Sequence, residues 1–221
     1  MSELQQLNWK SVPVSDVAVT LFSVGNGLGR VFTSSLSDLA HRRRLCPRPL
    51  CLAMVFLAMA AAHIILALRT GIVGLYTGVF LAACAFGSTW PLTVVITSEL
   101  WGSDHHGANY MLCDGIIQMV GALLVGKFIA QSVYTAELEA ELAAAGGAPA
   151  HANASSSGEM AATTCHGHAC FELTHWSVVV LCLCGACAVA AVGYRSRGHY
   201  KTMWALEAQD LQLRMERRAK Q

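Results

Sequence analysis

At 221 residues the chain is long enough for one substantial core or two small domains, but hydrophobic residues make up 54% of it and charged residues only 13%, against about 25% charged in soluble proteins. That excludes an ordinary soluble globule, and a net charge of +1 gives no electrostatic case for a nucleic-acid partner. Nine cysteines would suit a disulfide scaffold, yet Cys84, Cys113, Cys182, Cys184 and Cys187 lie inside apolar runs and read as small packing residues.

Residues 1–16 lack the basic start of a signal peptide; the positive cluster follows the first apolar run instead of preceding it. A helix needs roughly 20 apolar residues to cross about 30 Å of hydrocarbon. Five runs qualify, making an all-helical, multi-pass membrane bundle. Residues 17–134 hold four of them, at about 17–39, 50–68, 72–100 and 108–134. Residues 135–173 form a long polar loop, 174–194 the last span (its helix at about 175–194), and 195–221 a basic tail.

The first span carries Gly25 and Gly29 four residues apart, a spacing that lets another helix approach closely. Asn26 and Arg30 follow on this apolar background. Arg30 lies about two turns from the basic loop and must pair, snorkel or line a watery cavity. Asp38 closes the span, and the loop 40–48 brings Arg42, Arg43, Arg44 and Arg48. In the second span His63 reads as a packed, hydrogen-bonding histidine or a proton carrier. In the third, Pro91 with Gly87 predicts a kink.

The fourth span places Asp114, Gln118, Gly121 and Val125 on one helical face, a polar stripe facing either the bundle interior or a solute path. Asp114 also fits a first-turn acid favoured by the helix dipole, and Lys127 a snorkelling residue. In the long loop, TAELEAELAAAGG reads as a short polar helix before a flexible linker, and Asn153-Ala-Ser is a glycosylation sequon. CHGHAC places Cys165, His166, His168 and Cys170 within six residues. A Cys165–Cys170 disulfide, metal capture and unpaired cysteines are the readings open to it. The tail offers a helix with Trp204, Ala208, Leu211 and Met215 on one side, lying on the inner leaflet or solvated.

Charge orients the bundle. Of 15 Lys and Arg, four lie at 42–48 and seven between Arg195 and Lys220, while 135–173 has none. With five spans both basic clusters fall on one side, which the positive-inside bias assigns to the cytosol. The amino terminus and the sequon loop are then extracytosolic.

SSLSDLAHRRR, residues 34–44, resembles the signature of the major facilitator superfamily, with Ser34 where that signature has glycine. FGSTWPLTVVITSELWGSDHHGANY, residues 86–110, resembles the helix-loop-helix of its nodulin-like branch, as do NGLGR at 26–30, Tyr134 with Glu137, and CHGHACF before the last span. The resemblance covers nearly the whole chain and corresponds to the carboxy-terminal half, helices eight to twelve. It implies a partial major-facilitator fold and small-solute movement by alternating access without covalent chemistry. It also implies a cytosolic latch, with Asp38 near helix ends of an opposing half and one or more of Arg42, Arg43 and Arg44 paired with Glu99. Arg30, Asn26, Asp114 and Gln118 are the path or gating candidates.

No hydrolytic constellation, phosphate loop or cofactor motif is present, so the chain is not expected to be an enzyme. Besides the bilayer and a small-molecule solute, the expected partner is the missing transporter half or another chain. The alternative is a non-transporting interaction protein that pairs with a full-length relative; a weaker one is metal capture at residues 165–170.

Overall fold

The computed structural model describes residues 14–68, 71–102, 104–144 and 169–220. Among them there is no strand. The helices are α1 (Val14–Arg42), α2 (Arg48–Ala67), α3 (Gly71–Trp101), α4 (His106–Met111), α5 (Ile117–Gly121), α6 (Gln131–Ala144), α7 (Ala169–Arg195) and α8 (Arg197–Ala219). Two π-helical stretches, Leu112–Ile116 and Ala122–Ala130, join α4 to α5 and α5 to α6.

The chain turns where its residues demand it. After α1 the backbone reverses through Arg44, whose φ of 54° lies in the left-handed region. Pro47 then caps α2 in an extended conformation, and Pro49 sits in the first turn, where its missing amide costs no hydrogen bond. Gly102, with φ of 81°, follows the end of α3, its amide donating to the Ser98 carbonyl at 3.0 Å. Within α3 the helix runs on past Pro91.

Four of these segments are long and apolar enough to cross a membrane: Arg48–Ala67, Gly71–Trp101, Met119–Ala140 and Cys170–Arg195. Five were predicted. The first predicted span is helical throughout, but α1 is not among the four; Asn26, Arg30 and a series of serines and threonines dilute its apolar character. The fourth candidate, Met119–Ala140, overlaps the predicted run at 108–134, and the side chains next to it on either side lie outside the described residues. Outward faces are strongly apolar: Val31 and Phe32 are both 69% exposed and Phe128 65%. Exposure on that scale fits contact with lipid better than with water.

Adjacent packing runs α1 against α3, α3 against α2, and α2 against α7, with α6 also on α7. Leu52 and Val55 of α2 bury against Ala85, Leu92 and Ile96 of α3, while Ala60 meets Val179 and Cys182 of α7. The α1–α3 seam is built from small residues. A Cβ added at Gly29 would overlap the Cys84 backbone carbonyl, and one added at Gly87 would overlap that of Asn26. Ser88 uses this closeness, donating to the Gly29 carbonyl at 3.1 Å and sharing a 2.6 Å hydrogen bond with Thr33.

Candidate functional site

Two polar features stand out on this apolar frame. The first joins the ends of four helices. Arg48, in the first turn of α2, donates from Nε to Oε1 of Glu99 at 2.7 Å and from Nη1 to Oδ1 of Asp38 at 2.7 Å. The same Nη1 reaches Ser37 Oγ at 3.1 Å. One guanidinium thereby ties the end of α1 to the end of α3. Its planar fork suits several acceptors at once, as a lysine would not. Arg48 and Glu99 are 11% and 14% exposed, whereas Asp38 is 52% exposed.

α8 closes this cluster from outside. Tyr200, fully buried, donates its hydroxyl to the second Glu99 oxygen, Oε2, at 2.8 Å. Burial, reinforced by the Glu99 carboxylate, raises the Tyr200 phenol above its ordinary pKa. His199 Nε2 donates to the Glu99 backbone carbonyl at 2.8 Å. One turn on, Trp204 Nε1 donates to Nδ1 of His41 at 3.3 Å. An indole can only donate, so this contact places the His41 proton on Nε2, which faces Glu207 Oε1 at 3.5 Å. Arg44 Nη2 donates to the Trp204 carbonyl at 3.3 Å. Thus α8 crosses first the end of α3 and then the end of α1.

The predicted latch is corrected in its cation. Glu99 pairs with Arg48, not with Arg42, Arg43 or Arg44. The three consecutive arginines straddle the end of α1 and the reversal at Arg44, and Arg44 turns to the Trp204 backbone. Asp38 finds its partner within this chain, again Arg48.

The second feature is a stripe along α1. Asp16, Thr20, Ser23, Gly27, Arg30 and Ser34 recur at helical spacing on one face, and all but the half-buried Ser34 are exposed. Thr20, Ser23 and Ser34 donate their hydroxyl protons to carbonyls four residues earlier, at 2.7–3.0 Å. Their oxygens therefore face outward as acceptors. Arg30 Nε donates to Asn26 Oδ1 at 3.3 Å, and its guanidinium carbon lies 5.8 Å from the centre of the Trp90 ring. No carboxylate pairs with Arg30 among the described residues. Trp90 Nε1 is buried and likewise lacks a partner among them.

Elsewhere, His63 and His175 join α2 to α7 through a 3.1 Å hydrogen bond between their Nδ1 atoms. Asp114 and Gln118 have backbones in the first π-helical stretch and α5, but their side chains lie outside the described residues. Cys170 is buried and disulfide-bonded; Cys165 and Asn153 lie outside the described residues. Among the described residues no group of three or more His, Cys, Asp or Glu is placed to hold a metal ion.

Sequence reasoning missed Arg48, Tyr200 and the length of the α1 stripe. The signal for the stripe was present, a polar or glycine residue every third or fourth position. The signals for Arg48 and Tyr200 depend on which helix ends meet. Comparisons with protein-family models, with curated proteins and with solved structures give no match to this chain.

Proposed function

We propose that this chain is part of a secondary transporter that moves a small solute by alternating access. The stripe on α1 would line its path, and the Arg48 cluster would close that path at the cytosolic end. The observation that carries this reading is Arg30: an exposed guanidinium midway along the 29-residue α1, held among the described residues only by Asn26 and Trp90. A charge facing hydrocarbon there would be costly, so its face needs water, a solute or another protein. The signature at residues 34–44 and the segment 86–110 support placing the chain in the nodulin-like branch of the major facilitator superfamily. The basic loop and tail support a cytosolic carboxy terminus.

The second reading is an interaction protein in which the α1 face meets another membrane chain. α1 packs chiefly on α3 and leaves Leu28, Val31, Phe32 and Leu36 exposed beside the stripe.

Solutes that raise the melting temperature of the purified chain would be tested for uptake into vesicles, with Arg30→Gln in parallel. Uptake by the parent and loss in the variant supports the transport reading. Uptake no greater than in empty vesicles, together with stable capture of a second membrane chain, moves the assignment to the interaction reading.

A further inference from the structure

Arg48 is flanked by two free thiols. Cys46 lies in the turn before α2 and Cys51 in its first turns; their sulfurs are 3.6 Å apart and both side chains are half-buried. Between them run Pro47, Arg48, Pro49 and Leu50, with φ fixed by proline on both sides of the arginine. The other described free cysteines, Cys84, Cys182, Cys184 and Cys187, sit on α3 and α7. The 46–51 dithiol therefore spans the one segment that presents the guanidinium to Asp38 and Glu99.

We propose that Cys46 and Cys51 form a reversible dithiol–disulfide pair, a modification site that locks the turn carrying Arg48. The oxidant class is a hydroperoxide, with hydrogen peroxide as the simplest member. Cys46, in the turn outside the membrane-length segment Arg48–Ala67, is the attacking thiol because a water-borne oxidant reaches that side of the pair first. Its sulfur attacks one peroxide oxygen and the O–O bond breaks. Hydroxide leaves and takes up a proton as water, and Cys46 becomes a sulfenic acid. The Cys51 thiol then attacks that sulfur, giving up its proton as the S–O bond breaks. Hydroxide again leaves as water and the S–S bond forms. Two thiols and one peroxide give one disulfide and two waters, with both thiol protons in the waters. Glutathione or another thiol reverses the step, as suits a disulfide on a reducing side of the membrane.

The lock follows from geometry. The sulfurs are already close, so closing the bond needs only a small movement, and the six-residue ring then holds the start of α2 against the ends of α1 and α3. Oxidation would stabilise the closed cluster; reduction would free it to break. This consequence, though not the chemistry, rests on reading the cluster as a latch.

The whole protein, in lipid nanodiscs, would be titrated with hydrogen peroxide and its cysteines alkylated before and after reduction, with each site read by peptide mass spectrometry. Cys46 and Cys51 should lose alkylation together, at roughly a tenth of the dose that affects Cys84, and recover together with dithiothreitol. Cys51→Ser should leave Cys46 as a sulfenic acid trapped by dimedone. Irreversible oxidation of Cys46 with Cys51 still free, or a disulfide from either to another cysteine, overturns the pair. A disulfide that forms without raising the melting temperature overturns the lock, while Arg48 and Glu99 variants judge the latch separately.

Discussion

Arg48 and Glu99 form a 2.7 Å ion pair across 51 positions of sequence, and both side chains are nearly withdrawn from solvent. Neither stands alone: Asp38 and Ser37 take the rest of the guanidinium, and Tyr200 the rest of the carboxylate. Removing one partner should leave the other desolvated and underpaired. Fully buried pairs lose about 3–5 kcal/mol when broken this way. Here Asp38 remains for Arg48, so Glu99→Gln should cost about 2 kcal/mol. Arg48→Lys should cost a similar amount, because a point charge does not serve a three-acceptor fork. Arg42→Gln and Arg43→Gln should each change stability by less than about 0.5 kcal/mol. Denaturation of the purified protein in detergent, followed by circular dichroism, reads all four.

The α1–α3 seam gives a paired prediction at two glycines two residues apart. A methyl at Gly29 meets the Cys84 backbone, which has nowhere to move without parting the helices, whereas one at Gly27 meets nothing within 4 Å. Gly29→Ala should destabilise by about 1–3 kcal/mol through overpacking. Gly27→Ala should be neutral or stabilise by up to about 1 kcal/mol, since alanine is the better helix former. The same detergent denaturation decides between them.

Tyr200 predicts a pH dependence of known sign. Its phenol is raised above the ordinary value of 10.0 by burial and by the Glu99 carboxylate, so the folded state holds the proton more tightly than the unfolded chain. The stability this represents is fully present below pH 10 and falls as pH rises further. Melting temperatures between about pH 8 and 11 should stay level and then drop, beyond any background slope that Tyr200→Phe retains. An identical profile in the variant would remove Tyr200 from the account.

Much of this architecture was legible in residue spacing. Gly25 and Gly29 announced a close helix contact, and the apolar runs at 50–68 and 72–100 correspond closely to α2 and α3. What spacing could not show was which cation reaches Glu99. Four arginines lie within seven positions, and the run Arg42–Arg44 is the more conspicuous. Only the left-handed turn at Arg44 and the start of α2 at Arg48 decide that the last of them points between α1 and α3. The tail helix was also visible, with Trp204 on its inner face. Its docking depends on Tyr200 and His199 meeting the end of α3, a contact about 100 residues away in sequence that no periodicity reports.

The central claim is that the polar face of α1 is covered by water or protein, not lipid. The most direct measurement is labelling of single introduced cysteines by a membrane-impermeant maleimide in intact vesicles, with each site resolved from native cysteines by peptide mass spectrometry. Ser23→Cys and Gly27→Cys lie on the stripe; Leu28→Cys and Phe32→Cys lie off it and are also exposed to the surroundings of the bundle. A solvated path predicts labelling at Ser23 and Gly27 at least tenfold faster than at Leu28 and Phe32, and a covering chain predicts that the contrast emerges when that chain is removed. Equal, slow labelling at all four positions in the isolated chain would place the stripe in lipid and contradict the account.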